Sequence, residues 1–354
     1  MTIEGAYGRV PATDFPDLKF ERATHAPPET AVDPVTRTPF DVVDESGLLR
    51  LRRYRPDNLP STGPAVLFVY SLFKRPYVLD LLPERSIVRN LLAQGFTVYL
   101  TDWQPPEAEN AERGFDAYVN GDLACAVNHV RVHEGVERVP LVGNCFGGLL
   151  ALLYAALHPE EVARVVPVAA PIEIQSPFAP TIVEYVARMF GNVPSWWIRA
   201  WLNAGVPGPA QLSRYIADEL DEPALIRTAA GARVARALQP WLDSDVPLTG
   251  QVFREAMCNA YWSRDLAQSR LRIGGRLAAL ENIRCPVLNV SGERDQLVPP
   301  VSSNALVERL GRDVVTNLVF PATHLGLLLG AAAHAELWPR IGAWLKAGDA
   351  PSGG

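Results

Sequence analysis

Cys145 stands in the run Gly143-Asn144-Cys145-Phe146-Gly147-Gly148, where a thiol between glycines has the spacing of a nucleophile elbow, with cysteine in place of the usual serine. A side chain held at the apex of a sharp strand-to-helix turn needs small flanking residues, and Gly143 and Gly147 meet that need. The turn would aim the amide N–H of Phe146 at a developing oxyanion, while the helix N-terminus would favour thiolate. The chemistry this suits is covalent catalysis at an acyl carbonyl.

A cysteine nucleophile needs a base, and the base needs an orienting carboxylate, in the chain order nucleophile, acid, histidine. Asp295 follows the apolar run CPVLNVSG, and His324 follows TNLVFP within Ala322-Thr323-His324-Leu325-Gly326. Glu293 is the rival acid. His129 and His133 are four residues apart on a predicted helix but have no third ligand nearby in sequence, so they read as solvated or packing histidines and no metal site is expected. His158 reads as a charge partner for a helix C-terminus, and His25 and His334 lie in arm and tail. Cys125, Cys258 and Cys285 lack zinc or disulfide spacing and read as small buried hydrophobes.

The elements that must position these groups alternate between short apolar runs and helical segments, which argues for a mostly parallel sheet covered by helices. The strands are LLRLRRYRP, AVLFVYSL, FTVYLTDW, VPLVG and ARVVPVAAPIE, then, after a gap, CPVLNVSG and VVTNLVFP. A helix is expected through PERSIVRNLLAQG with Pro83 near its start, and an amphipathic helix, AAHAELWPRIGAWLKAG, closes the chain. Residues 1–40 are studded with proline and read as an extended arm. From 174 to 283 the strands stop, and a helical insertion carries Trp196, Trp197, Trp201, Trp241 and Trp262 as an aromatic-rich cap. The core is thus expected over 41–173 and 284–350.

The 354 residues carry 33 basic and 39 acidic side chains, a net charge of −6, and no basic block, which argues against nucleic acid as a partner. Hydrophobic residues make up 48% and charged ones 20%, so a packed globular core is expected rather than disorder. No apolar stretch reaches the length of a membrane span and the first residues lack the pattern of a signal peptide, so the cytoplasm is the expected compartment.

Beyond the elbow, the chain contains Arg75-Pro76-Tyr77-Val78-Leu79-Asp80-Leu81, Pro83-Glu84-Arg85-Ser86, Tyr99-Leu100-Thr101-Asp102-Trp103, Tyr118-Val119-Asn120-Gly121, Tyr154-Ala155-Ala156-Leu157-His158-Pro159 and Val298-Pro299-Pro300. With the box at 143–148, these segments resemble the catalytic subunit of poly(3-hydroxyalkanoate) synthases of the two-component class III type, from about residue 45 to 346. The resemblance implies an α/β-hydrolase fold with an inserted helical cap. It also implies an acyltransferase that polymerises 3-hydroxyacyl units from coenzyme A thioesters. Cys145 would carry the growing acyl chain, His324 would be general base, Asp295 would assist it, and the oxyanion would meet the backbone N–H groups of Phe146 and Phe73. No cofactor is implied, since coenzyme A enters with the substrate. A second synthase subunit, a homo-oligomer and the surface of a polymer granule are the implied partners. A cysteine-dependent thioesterase or polyester depolymerase of the same fold is the alternative. The chain departs from the family where Thr323 precedes His324 in place of glycine, where Lys74 replaces a frequent asparagine, and where Gln104 follows Trp103.

Overall fold

Ala65–Val69 is a strand buried along its whole length, and its side chains diverge alternately into two cores. Ala65, Leu67 and Val69 join one cluster, and Val66 and Phe68 join the other. That period-two division is what a strand apolar on both faces requires when helices cover both sides of its sheet. The computed structural model describes residues 38–55, 63–176, 178–202 and 209–347. Around this strand lies an eight-stranded sheet. Its members in chain order are β1 (Phe40–Ser46), β2 (Leu49–Tyr54), β3 (Ala65–Val69), β4 (Thr97–Trp103), β5 (Val139–Asn144), β6 (Val162–Val168), β7 (Val287–Gly292) and β8 (Val315–Phe320).

Their order across the sheet is β1-β2-β4-β3-β5-β6-β7-β8. The pairs β1/β2 and β2/β4 are antiparallel, and every pair from β4/β3 to β7/β8 is parallel. This is an α/β-hydrolase fold. Parallel strands place their C-terminal ends along one edge, so loops leaving β5, β7 and β8 converge there.

Helix α1 (Ile87–Ala93) begins later than the sequence suggests, because Ser86, not Pro83, supplies the cap: its hydroxyl accepts the N–H of Arg89 at 2.9 Å. Pro83 and Glu84 instead link the short strands Asp80–Leu82 and Arg85–Ser86. Helix α2 (Ala124–Glu134) ends at Gly135, whose φ of 65° suits a residue without a side chain. Helix α3 (Phe146–Leu157) is buried at every position.

Between β6 and β7 run α4 (Pro180–Phe190), α5 (Ser195–Leu202), α6 (Pro209–Leu220), α7 (Ala229–Leu242) and α8 (Gly250–Arg254), the last continuing as a π-helical stretch, Glu255–Trp262. The expectation that strands stop between 174 and 283 needs correcting. Asn192–Val193 pairs with Leu248–Thr249, and Arg272–Ile273 pairs with Arg276–Leu277. Ladders of two residues are too short to leave an alternating pattern in the sequence. Helix α4 turns Val183, Val186 and Ala187 inward and leaves Ile182, Tyr185 and Met189 exposed.

The described residues close with α9 (Asn304–Leu310), α10 (Gly326–Leu329) and α11 (Trp338–Lys346). Among the described residues no helix is long and apolar enough to cross a membrane. The arm expected over 1–40 lies outside the described residues up to position 37, as do positions 348–350 of the expected core.

Candidate active site

Strand β5 turns into α3 at a single residue, Cys145, with φ 52° and ψ −127°. A residue with a side chain in that conformation is strained by roughly 1–3 kcal/mol, and the surrounding packing must hold it there. Its backbone N–H donates to the carbonyl of Val168 at 2.8 Å, and its carbonyl accepts from Gly148 at 2.9 Å. The glycines serve close approach. A Cβ on Gly143 would sit 2.5 Å from the carbonyl oxygen of Gly147, and one on Gly147 would sit 2.1 Å from that of Val69. The N–H of Phe146, in the first turn of α3, is among the donors a helix N-terminus leaves without an intrahelical acceptor. Cys145 itself is half-buried.

Strands β7 and β8 pair in register up to Gly292 and Phe320, so the loops that follow leave the sheet side by side. Asp295 is buried, and its Oδ1 accepts the N–H groups of Leu297 at 2.9 Å and Val298 at 2.8 Å. Its Oδ2 lies 2.7 Å from Nδ1 of His324. The rival acid, Glu293, is exposed. With Nδ1 facing Asp295, the other ring nitrogen of His324 is left for Cys145, whose sulfur is within hydrogen-bonding reach. Burial disfavours the charged imidazole, but the Asp295 carboxylate and the Cys145 sulfur, through charge and hydrogen bonds, outweigh it and hold the His324 pKa well above its ordinary value. The structure thus brings Cys145, Asp295 and His324 together at one edge of the sheet.

Phe73, on the loop after β3, sets its ring edge-on to Phe146 with centroids 5.0 Å apart. Its N–H makes a long 3.4 Å contact with the hydroxyl of Ser71, and its carbonyl accepts from Val246 of the insertion at 2.9 Å. Next to it, Lys74 Nζ pairs with the buried Asp245 at 2.5 Å and donates to the carbonyl of Leu242 at 2.8 Å. The insertion is therefore clamped to the loop that carries Phe73.

Three groups around the site escaped the sequence reading. Tyr70, at the end of β3, and Tyr261, in the stretch after α8, are buried phenols, and burial together with the Cys145 charge raises the pKa of each well above the usual value. Glu219, on α6, is raised by burial while Thr323 and His324 pull it back. No motif marks any of them; only the folded insertion brings Tyr261 and Glu219 into the insertion's side of the site.

The other histidines and cysteines lie elsewhere. Cys285 is buried and desolvation pushes its thiol up to about 11, and Cys258 is half-buried. Cys125 corrects the expectation, for it is exposed: α2 turns Ala126, Val127 and Val130 inward and leaves Cys125 on the outer face. His129 and His133 stack at 5.9 Å on that helix, and the one group of three possible metal ligands among the described residues is instead His158, Glu160 and Glu161. There, His158 bonds Asn120 at 2.8 Å and Glu161 binds Arg131 at 2.8 Å. Burial disfavours the charged form of His158, the C-cap residue of α3, whose backbone N–H donates to the carbonyl of Tyr154 at 2.8 Å.

The family described as alpha/beta hydrolase fold matches residues 64–331. The monoacylglycerol lipase of Paleococcus ferrophilus superposes with a TM-score of 0.54 at 19% identity, covering 85% of this chain and 99% of the lipase, a likeness of fold alone. The class of protein is therefore an α/β-hydrolase-fold chain with a cysteine at its elbow. Poly(3-hydroxyalkanoate) polymerase subunit PhaC of Allochromatium vinosum is 30% identical, covering 86% of this chain and 87% of that subunit. The subunit of the same name from Thiocystis violacea is 29% identical over 87% and 88%. The chain belongs to the poly(3-hydroxyalkanoate) polymerase family, and with it to the enzymes of acyl transfer.

Proposed function

We propose that this chain is the catalytic subunit of a poly(3-hydroxyalkanoate) synthase that builds polyester from 3-hydroxyacyl coenzyme A through a thioester on Cys145. The observation that carries the reading is a thiol at a strained elbow within reach of a histidine that is itself bound to a buried carboxylate. His324 takes the proton of Cys145, the sulfur attacks the thioester carbonyl, and the oxyanion meets the N–H of Phe146, with that of Phe73 as second donor. The new bond from Cys145 sulfur to the acyl carbon replaces the bond to coenzyme A, which leaves with the proton from His324. Thioester exchange is nearly isoenergetic, so the acyl group stays reactive. His324 then takes the proton from the 3-hydroxyl of another 3-hydroxyacyl coenzyme A, whose oxygen attacks the acyl carbon; the bond to the Cys145 sulfur breaks, the thiol recovers its proton from His324, and the lengthened chain, now a coenzyme A thioester, reloads Cys145 by the first step. Such general-base assistance is worth roughly a hundred- to ten-thousand-fold. Asp295 holds the imidazole in the tautomer that leaves Nε2 free to take protons and stabilises its charge.

The helical insertion over 174–283 acts as a cap that keeps water from the acyl-enzyme. The exposed Ile182, Tyr185 and Met189 of α4 fit contact with the polymer granule or a second subunit in the cytoplasm. A class III-like catalytic chain works with a separate second subunit and as an oligomer, and it needs no cofactor beyond the coenzyme A of its substrate. Mass spectrometry of Cys145 after brief exposure to labelled 3-hydroxybutyryl coenzyme A, with and without a candidate second subunit, tests the reading. Repeated additions of one acyl unit are expected. Coenzyme A release with no elongation would point to a thioesterase or depolymerase instead.

A further inference from the structure

Tyr261 stands in the π-helical stretch Glu255–Trp262 of the insertion, within the same apolar cluster as Phe146 and Phe253. Its residue exposure is 2%, and among the described residues its hydroxyl has no hydrogen-bond partner. A buried phenol oxygen without a partner is costly, and such groups in native proteins call for an explanation. Burial, and after it the charge of Cys145, raise the pKa of this phenol well above its usual value, yet its hydroxyl makes no hydrogen bond to the sulfur. It also stays protonated through the working pH range, which makes it a donor.

An acyl group on Cys145 has two oxygens to satisfy. The carbonyl oxygen falls to backbone donors of the core, beginning with Phe146 at the start of α3. The 3-hydroxyl lies two carbons further from the sulfur, outside the elbow, and faces whatever covers it. Resting on the synthase reading above, we infer that Tyr261 is a specificity-determining residue whose hydroxyl donates to the 3-hydroxyl oxygen of the acyl group entering Cys145. The phenol then has its partner only when a 3-hydroxyacyl substrate is bound. A substrate without that hydroxyl leaves the phenol unpaired, which is how a site built around a hydrogen bond rejects an analogue lacking it. Donation to the oxygen leaves the substrate's own O–H proton free.

The test uses the full chain and measures single-turnover acylation of Cys145 by intact mass, with 3-hydroxybutyryl coenzyme A and with butyryl coenzyme A. Wild type is expected to load the hydroxyacyl group faster. Tyr261→Phe should slow hydroxyacyl loading about tenfold and leave butyryl loading within about twofold, so that the preference disappears. Its thermal midpoint should be unchanged or higher, because the variant removes an unpaired buried hydroxyl, whereas loss of a structural hydrogen bond would lower it. Wild type that loads with a preference the variant keeps, or a variant slowed equally on both substrates, would overturn the assignment while leaving the synthase reading intact. Wild type that loads neither substrate would overturn both.

Discussion

Replacing Asp295 with asparagine changes one atom at the most connected point of the site. Asparagine can keep the two bonds that Oδ1 receives from Leu297 and Val298 at 2.9 and 2.8 Å. The loop should therefore hold its shape. The amide NH₂ then takes the place of the carboxylate oxygen 2.7 Å from Nδ1 of His324. As a donor, it forces Nδ1 to accept and moves the proton to Nε2, the nitrogen that must take the proton of Cys145. Loss of a correctly poised general base is worth about 10²–10⁴-fold. A thiol is partly ionised near neutrality without help, so the lower half of that range, about 10²–10³-fold, applies. The assay is single-turnover release of coenzyme A at saturating 3-hydroxybutyryl coenzyme A. A second readout is NMR titration of His324 in a Cys145→Ala background, where Asp295→Asn should lower the imidazole pKa, since the carboxylate raises it. The stability consequence has a definite sign. A histidine pKa raised on folding contributes stability that is fully present below the unfolded value of about 6.5 and is lost as pH rises through the folded value. The gap in thermal midpoint between wild type and variant should thus be widest in mild acid and narrow in alkali. A variant within about threefold of wild-type turnover, with an unmoved imidazole titration, would refute the reasoning.

Cys145→Ser keeps the elbow but replaces the thiol with a far weaker acid, so polymer formation should fall at least about a hundredfold with an unchanged circular-dichroism spectrum; near-normal elongation would count against Cys145 as acyl carrier. Gly147→Ala places a Cβ 2.1 Å from the backbone oxygen of Val69, and a denaturant titration should show a loss of at least about 1–3 kcal/mol, a loss below about 0.5 kcal/mol meaning that the elbow can relax. Lys74→Met removes the cation 2.5 Å from the buried Asp245 and should cost about 3 kcal/mol, most of it recovered by adding Asp245→Leu, with a double-mutant cycle as the measurement. Additive losses in that cycle would mean the pair does not clamp the insertion.

How far the fold could be read from the chain depended on how local each constraint is. The strand AVLFV is apolar at every position because both its faces are buried, so it was legible. Cys145 stood out because a Cβ on Gly143 or Gly147 would sit 2.5 or 2.1 Å from a backbone oxygen, and that prohibition is written as two glycines. Asp295 and His324 could be picked out because each follows a strand, and the strands prove to be adjacent and in register. Cys125 was misplaced because it neighbours Ala126 and Val127, which face inward, and one step of about 100° around a helix takes a residue from core to solvent. The role inferred for Tyr261 was invisible, since its burial without a hydroxyl partner depends on how the whole insertion folds back, and a tyrosine in a helix of mixed composition carries no local mark.

A hydrolase scaffold becomes a synthase, on this reading, through what covers the nucleophile rather than through the nucleophile's own partners. The same order of acid, base and strained elbow serves hydrolysis equally well, and the acyl-enzyme is hydrolysed wherever water reaches it as readily as a hydroxyl does. Two features here tilt that competition. Cysteine keeps the acyl group as a thioester, which an alcohol can displace without a large uphill step. The insertion then brings Tyr261 and Glu219 into its own side of the site and fastens itself through Asp245 to the loop carrying Phe73. A substrate hydroxyl held beside His324 by the enclosing wall has an effective concentration that bulk water cannot match once the wall excludes it. The clamp and the buried phenol therefore belong to one device, and loosening the first should raise the share of acyl-enzyme lost to water before it lowers the rate at which Cys145 is loaded.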